Sequence, residues 1–263
     1  MRVNQLTERL ASGRTAVCGW VSIDSPYLAE TLSYGGYHAV NIDLQHGMFG
    51  LDRALTLLQA VSAGPATPLA RCPSHDPATI GKLLDAGAYG IICPAVDTPE
   101  QADAFVAACR YPPTGQRSYG PSRGLLYGGP DYVEHADETV LTWAMIESQP
   151  ALENLPEILA TPGLDGVYVG PNDLALSFGE TPGQRTPPPD TLDALGRIAD
   201  AAHRAGRYAG VFCADGEIAH QLAELGYDLV TPGNDAGILK QAVAARVAAS
   251  LGGNGGSAIG GGY

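Results

Sequence analysis

The sequence predicts a single (β/α)₈ barrel. Three observations carry this: a length of 263 residues, a strand-then-helix rhythm repeated from about Thr15 to Ala249, and strand segments too short and apolar to be half-exposed. Short β-branched runs separated by helical periodicity are the pattern of a parallel sheet, because each parallel crossover consumes a helix. Eight strand segments follow in order: Ala16 to Val21, Ala39 to Leu44, Pro68 to Cys72, Gly90 to Pro94, Leu141 to Glu147, Gly166 to Gly170, Tyr208 to Cys213 and Asp228 to Thr231.

Between them, apolar residues recur at three- and four-residue intervals, as in Leu51, Ala54, Leu55, Leu58 and Val61, or in Ile80, Leu83 and Leu84. These segments read as the outer helices. Gly64-Pro65 and Gly87 stop the first two, and Gly206 and Gly226 precede the seventh and eighth strands. An opening helix from about Asn4 to Ala11 is expected to cap the barrel floor. Two Gly- and Pro-rich stretches, Tyr111 to Glu138 and Phe178 to Asp190, break the rhythm and read as irregular; the second is expected at the catalytic mouth. Residues 1–250 thus form one barrel domain, and 251–263 form a Gly-rich tail expected to be disordered, with no function assigned.

The bulk composition excludes several classes. A formal charge of -13 argues against a nucleic-acid partner, which needs clustered Lys and Arg. No apolar run reaches the ~18 to 20 residues of a membrane span, and the first residues lack a signal peptide's apolar core, so a cytoplasmic protein is expected. The five cysteines are scattered and contain no Cys-x-x-Cys pair; they read as small apolar core residues rather than disulfides or a zinc site.

In a barrel of this kind, residues at the C-terminal strand ends share one pocket. Those positions hold Trp20, Asp43 with His46, Arg71, Glu147, and Gly170-Pro171-Asn172-Asp173. Glu147 ends an apolar run in which an unpaired carboxylate is costly to bury, so a cation is expected beside it. Asp173 follows a Gly-Pro-Asn turn on the neighbouring strand, so the two carboxylates can face one hard divalent ion such as Mg²⁺, Mn²⁺ or Co²⁺. Two plainer readings stay open: Asp173 as the N-cap of a helix beginning at Leu174, and Glu147 paired with Arg71.

Asp43 stands three residues before His46, close enough to orient the imidazole for acid/base work, or else to make an Asx turn beside an exposed histidine. Arg71, in an apolar strand, needs an anion: an enolate or carboxylate of a substrate, or an internal partner in Glu147 or Asp43. A divalent metal can polarise the ketone of a 2-keto acid and labilise a bond at the adjacent carbon. The amides of Asn172 and Asp173, at a helix start, suit the substrate carboxylate. No lysine stands at a strand end, which disfavours a Schiff base.

These motifs, in this order, resemble the HpcH/HpaI family of metal-dependent (class II) pyruvate aldolases. The likeness runs from Asn4 to Ala245. It rests on the Trp20 segment, Asp43-Leu44-Gln45-His46-Gly47, Arg71, Leu84-Asp85-Ala86-Gly87-Ala88, Tyr111-Pro112-Pro113-Thr114-Gly115-Gln116-Arg117, Ile146-Glu147-Ser148 and Gly170-Pro171-Asn172-Asp173-Leu174. The resemblance implies Glu147 and Asp173 as metal ligands, His46 with Asp43 as the acid/base pair, Arg71 as the enolate-stabilising cation and Trp20 as a pocket wall. It also implies that Asp85 reaches a neighbouring subunit's site, and that the barrels form homo-oligomers, commonly hexamers or trimers of dimers, by exchanging the last helix. The expected substrates are a small 2-keto acid and an aldehyde. Two departures concern the second substrate: Gln45 stands where many members have Glu, and Met145 where the best-known aldolases have a substrate-contacting Gln.

Other readings remain. An acyl-CoA lyase of the citrate-lyase-β or malyl-CoA type would need cationic contacts for coenzyme A, which the scarcity of lysine disfavours. An oxaloacetate decarboxylase or carbon-carbon bond-forming synthase, as in the macrophomate-synthase branch, would turn over oxaloacetate. A silent keto-acid-binding barrel is opposed by the intact Asp43, His46, Arg71, Glu147 and Asp173.

Overall fold

Eight parallel strands close on themselves in chain order: β1 (Ala16–Val21), β2 (Ala39–Asp43), β3 (Thr67–Arg71), β4 (Gly90–Cys93), β5 (Leu141–Ile146), β6 (Gly166–Val169), β7 (Tyr208–Cys213) and β8 (Leu229–Pro232), with β8 paired back onto β1. This computed structural model describes residues 1–252, so the part of the Gly-rich tail from Gly253 to Tyr263 lies outside the described residues. The expected strands are all present. Their bounds differ by a residue or so at an end, as at β3, which begins at Thr67, and β8, which begins at Leu229.

Alternation along each strand sorts side chains into two apolar layers. Val40, Ile42, Ala70, Ile91, Ala144, Ile146, Val167 and Val169 point outward and pack under the helices. Trp20, Leu69, Ile92, Trp143, Met145 and Tyr168 fill the interior. The interior is close-packed by setting large residues against glycine. A Cβ on Gly166 would lie 2.7 Å from the Trp143 ring and from the Tyr208 carbonyl oxygen, and one on Gly210 would lie 2.6 Å from the Tyr168 ring.

The floor is sealed as expected by α1 (Gln5–Ala11), whose Leu6 and Leu10 join the interior layer. Asn4 caps it by accepting from the amides of Leu6 and Thr7, and its own amide donates to the carbonyls of Tyr89 and Thr139. Helix α2 (Pro26–Ser33) follows β1; outer helices α3 (Leu51–Ala63) and α4 (Pro77–Asp85) bury Ala54, Leu58, Val61, Ile80, Leu83 and Leu84, whereas Leu51 and Leu55, which periodicity also marks, are exposed. At Gly87 the backbone turns at φ 100, a left-handed conformation that favours glycine.

One irregular stretch is corrected. Tyr111 to Glu138 carries two short helices, α6 (Ser122–Gly128) and α7 (Tyr132–Thr139), after α5 (Pro99–Cys109). Tyr132 and Ala136 are buried there, so one tyrosine and one alanine four residues apart anchor a segment otherwise polar enough to read as loop. Past β5 come two short helices, α8 (Gln149–Glu153) and α9 (Leu155–Leu159), and the other stretch does lie between helices, α10 (Pro171–Ser177) and α11 (Pro189–Arg204). Its Gly183 amide donates to Asn172 at 2.9 Å and its Arg185 pairs with Asp215, just past β7, which places it at the mouth.

With α12 (Gly216–Glu224) joining β7 to β8, closure is reinforced at that mouth by Asp235, the first residue of α13 (Asp235–Ser250). Its buried carboxylate accepts from Ser22 Oγ at 2.6 Å and from the amides of Ser22 at 2.9 Å and Ile23 at 3.0 Å, tying the last helix to the loop after β1. Among the described residues, no helix is long and apolar enough to cross a membrane, and Cys18, Cys72, Cys93, Cys109 and Cys213 are all buried and unpaired by disulfides.

The tight glycines make a test. Gly166→Ala should lower stability by about 1 to 3 kcal/mol, since the added methyl meets a fixed carbonyl and a packed indole. Gly81→Ala, on α4 with nothing within 4 Å, should raise it by about 0.5 to 1 kcal/mol. Urea midpoints of the two variants should therefore move in opposite directions.

Candidate active site

The C-terminal strand ends open on a cavity of about 380 Å³. Trp20, His46, Arg71, Met145, Gly170, Pro171, Asn172 and Asp173 line it, together with Met48, Tyr168 and Phe212. The structure therefore gathers most of the residues selected from sequence around one space, with Asp43 and Glu147 behind its wall.

Arg71 ends β3 directly beside Asp43, which ends β2, because the register pairs those two positions. Its Nε and Nη2 donate to the two oxygens of Asp43 at 2.9 and 2.6 Å, a bidentate pair almost wholly removed from water. The internal partner left open by the sequence is thus Asp43. Nη1 of the same guanidinium points to the Met145 sulfur at 3.9 Å, and the Trp20 ring lies 5.0 Å from Cζ.

Asp43 also accepts from Trp20 Nε1 at 3.1 Å and from the amides of Gln45 and His46 at 3.0 and 3.2 Å. The last two contacts make the Asx turn that the spacing allowed. The Gly47 amide closes the turn on the Asp43 carbonyl at 3.1 Å, and a Cβ on Gly47 would sit 2.1 Å from that oxygen, so only glycine fits. This turn carries His46 to the cavity rim, where it is exposed.

Glu147 follows β5 with its side chain buried. Its Oε1 accepts the Ala95 amide at 2.7 Å, whereas Oε2 faces Gly170, where a Cβ would come within 2.7 Å. Burial pushes the Glu147 carboxyl up to about 7; the Ala95 amide and the Arg71 charge oppose the rise, and the Asp173 charge adds to it. Asp173 is exposed at the rim, in the first turn of α10. That helix begins at Pro171 with Gly170 as its N-cap, three residues earlier than the capping alternative requires, because proline's fixed φ suits the first helical position. Asp173 is therefore not the cap.

These residues fit a divalent cation. A carboxylate held partly neutral by burial, a second one close enough to disfavour its ionisation, and a glycine that leaves Oε2 unshielded make a hard-oxygen donor set whose mutual repulsion a cation would relieve.

Asp85 does not line this cavity. It ends α4 and accepts from Arg117 Nη2 at 2.8 Å. Arg117 is itself buried against the rings of Tyr111 at 4.4 Å and Tyr132 at 5.5 Å. Three wall residues escaped the reading of strand ends. Tyr168 lies two residues before Gly170 and Phe212 two after Gly210, so inward parity would have found both; Met48 sits on a loop with no such signal. The Ala95 amide has no signature in sequence, since its contribution is backbone.

The family model described as HpcH/HpaI aldolase/citrate lyase matches residues 17–242. A hydroxypyruvate/pyruvate aldolase of Rhizorhabdus wittichii is 41% identical over 230 residues, covering 88% of this chain and 92% of its own. A 4-hydroxy-2-oxo-heptane-1,7-dioate aldolase of Klebsiella pneumoniae is 34% identical over 249 residues, covering 92% and 93%. Among solved structures, an HpcH/HpaI aldolase/citrate lyase family protein from Burkholderia cenocepacia aligns with a TM-score of 0.85 at 32% identity, covering 95% of this chain and 99% of that one.

The raised Glu147 carboxyl yields a prediction for the metal-free protein. Below pH 4.5 the group is protonated folded or unfolded and contributes nothing; as pH rises toward 7 the unfolded chain ionises first, so folding is increasingly disfavoured, fully so above about 7. In EDTA, Glu147→Gln should therefore be more stable than the parent by roughly 3 kcal/mol at pH 8 and no more stable at pH 4.5, as read from denaturant midpoints.

Proposed function

The chain belongs to the HpcH/HpaI aldolase/citrate lyase family, and on that premise we propose that it is a divalent-metal-dependent class II aldolase acting between pyruvate, or a related 2-keto acid, and an aldehyde. The aldolase names of its relatives support a carbon-carbon lyase. The observation that carries the reading is the cavity at the strand ends, with Asp173 and the Asp43-held Arg71 in its lining and the buried Glu147 behind them.

Glu147 and Asp173 would hold the cation, Mg²⁺, Mn²⁺ or Co²⁺, which when bound supplies Lewis-acid polarisation of the ketone. Arg71 opposes the negative charge that grows on the enolate oxygen as the bond breaks. Two bonds from Asp43 keep the guanidinium from swinging away, so this charge stabilisation needs no reorganisation. His46, on its tight turn, takes the proton of the substrate's 4-hydroxyl in the cleavage direction, with Asp43 as its partner in the acid/base pair. The C3–C4 pair of electrons then passes into the enolate, the aldehyde departs, and a proton returned to C3 yields the keto acid.

Trp20, Met145, Tyr168 and Phe212 wall the reacting carbons with apolar surface that keeps water from quenching the enolate. Met145 offers a thioether where an amide would offer hydrogen bonds, which suits an acceptor aldehyde with few polar groups at that wall. The amides of Asn172 and Asp173, in the first turn of α10 with no helical acceptor, suit the substrate carboxylate.

We assign the enzyme to a homo-oligomer, a hexamer or trimer of dimers, in the cytoplasm. Leu239, Val243 and Val247 on α13 and its C-cap Leu251 stand four residues apart and are 52, 51, 54 and 82% exposed, an apolar stripe that a second copy would cover. Asp85, outside this chain's cavity, is assigned to a neighbouring copy's site. The unpaired cysteines suit a reducing compartment.

Pyruvate release from a panel of 4-hydroxy-2-keto acids tests the activity. It should vanish in EDTA, return with Mg²⁺, Mn²⁺ or Co²⁺, and fall on the order of 100-fold or more in Glu147→Gln. Turnover of oxaloacetate alone would move the assignment to the decarboxylase or synthase reading. For the assembly, light scattering of the Val243→Asp, Val247→Asp double variant should show a smaller particle than the parent; an unchanged mass would remove α13 from the interface.

A further inference from the structure

Beyond β4 the chain turns through Pro94-Ala95-Val96-Asp97, and Ala95 sits at φ 51, a left-handed conformation. For an alanine this costs about 1 kcal/mol, so neighbouring contacts must hold it. Some are plain: the Val96 amide donates to the Met145 carbonyl at 3.3 Å, the Asn154 side chain donates to the Asp97 carbonyl at 2.8 Å, and Ser148 Oγ bonds the Asp97 carboxylate.

Two further contacts fall on a single peptide group. The Pro94 carbonyl accepts from His75 Nε2 at 2.6 Å, and the N–H of the same group, on Ala95, donates to Glu147 Oε1 at 2.7 Å. A carbonyl oxygen can only accept, so Nε2 carries the proton. A peptide group is planar, so its C=O and N–H turn together about the flanking bonds; gripping the oxygen fixes the direction of the N–H. His75 is itself anchored, one residue before Asp76, which caps α4 by accepting from the amides of Ala78 and Thr79.

We propose that His75 is a positioning residue for Glu147, acting through the Pro94–Ala95 peptide group: by holding the carbonyl it keeps the N–H on Oε1 and leaves Oε2 facing Gly170, which lines the cavity. This rests on the reading of Glu147 as a ligand of the divalent cation. The histidine touches neither substrate nor cation. Its loss lets the strained peptide rotate, the amide leave Oε1, and the carboxylate turn within its pocket.

The test is Mn²⁺ titration by calorimetry on the full-length protein, with steady-state kinetics beside it. His75→Phe, which keeps a ring but no donor, should weaken Mn²⁺ binding about 10-fold or more, as loss of an outer partner of a ligand does elsewhere. At saturating Mn²⁺ the keto-acid KM should stay within about 2-fold while kcat falls, separating ligand positioning from substrate contact. His75→Gln, whose amide can donate to the Pro94 carbonyl, should recover affinity to within about 3-fold of the parent. If the phenylalanine variant does not fold, His75→Ala makes the same comparison. Parent-like Mn²⁺ affinity in His75→Phe, with affinity lost in Glu147→Gln, would overturn the positioning role alone. Equal weakening in His75→Phe and His75→Gln would overturn it too. Parent-like Mn²⁺ affinity in Glu147→Gln would overturn the ligand reading of Glu147 and this proposal with it.

Discussion

The buried pair of Arg71 and Asp43 is the contact on which the site depends. Neither charge is tolerable alone at that depth, and removing either partner of such a pair leaves an uncompensated ion, at a cost of roughly 3 to 5 kcal/mol. The pair does more than neutralise. Asp43 distributes its oxygens over the guanidinium, the Trp20 indole and two turn amides, so one carboxylate fixes a cation, an aromatic wall and the backbone that carries His46. Arg71 in turn presents a defined edge to the cavity. Three strand ends thereby behave as one rigid corner.

Glu147 stands in contrast. Where Asp43 is saturated with donors, Glu147 receives one amide, sits beside another carboxylate and is buried enough to resist ionisation. The Asp43 carboxylate is thus satisfied by the protein, while Glu147 is left with one amide donor beside a like charge.

The barrel was legible in the sequence because its signals are periodic and local. Short apolar strands, helical stripes and glycine stops recur at each unit, and the eight segments need only slight trimming. The residues at strand ends were legible for the same reason, since a polar side chain closing an apolar strand stands out, as with Arg71 and Glu147. What sequence left ambiguous was partnership. Arg71 had two candidate acids, and only the lateral register of β2 on β3 selects Asp43. Asp173 had a capping alternative, removed by the start of α10 at Pro171. The helices between Tyr111 and Glu138 were missed because they are short and bury few residues. The Ala95 amide could not have been found, since any residue type supplies an N–H and its direction is set by the fold.

The stitch between Asp235 and the loop after β1 joins groups 213 positions apart in the chain, and β1 completes its second edge only against β8. A ribosome must therefore make nearly the whole described chain before the first strand acquires its last neighbour. Until then that edge is an open row of amides and carbonyls, able to pair with another nascent chain. The same closure that rigidifies the finished mouth thus leaves that edge open until late in synthesis.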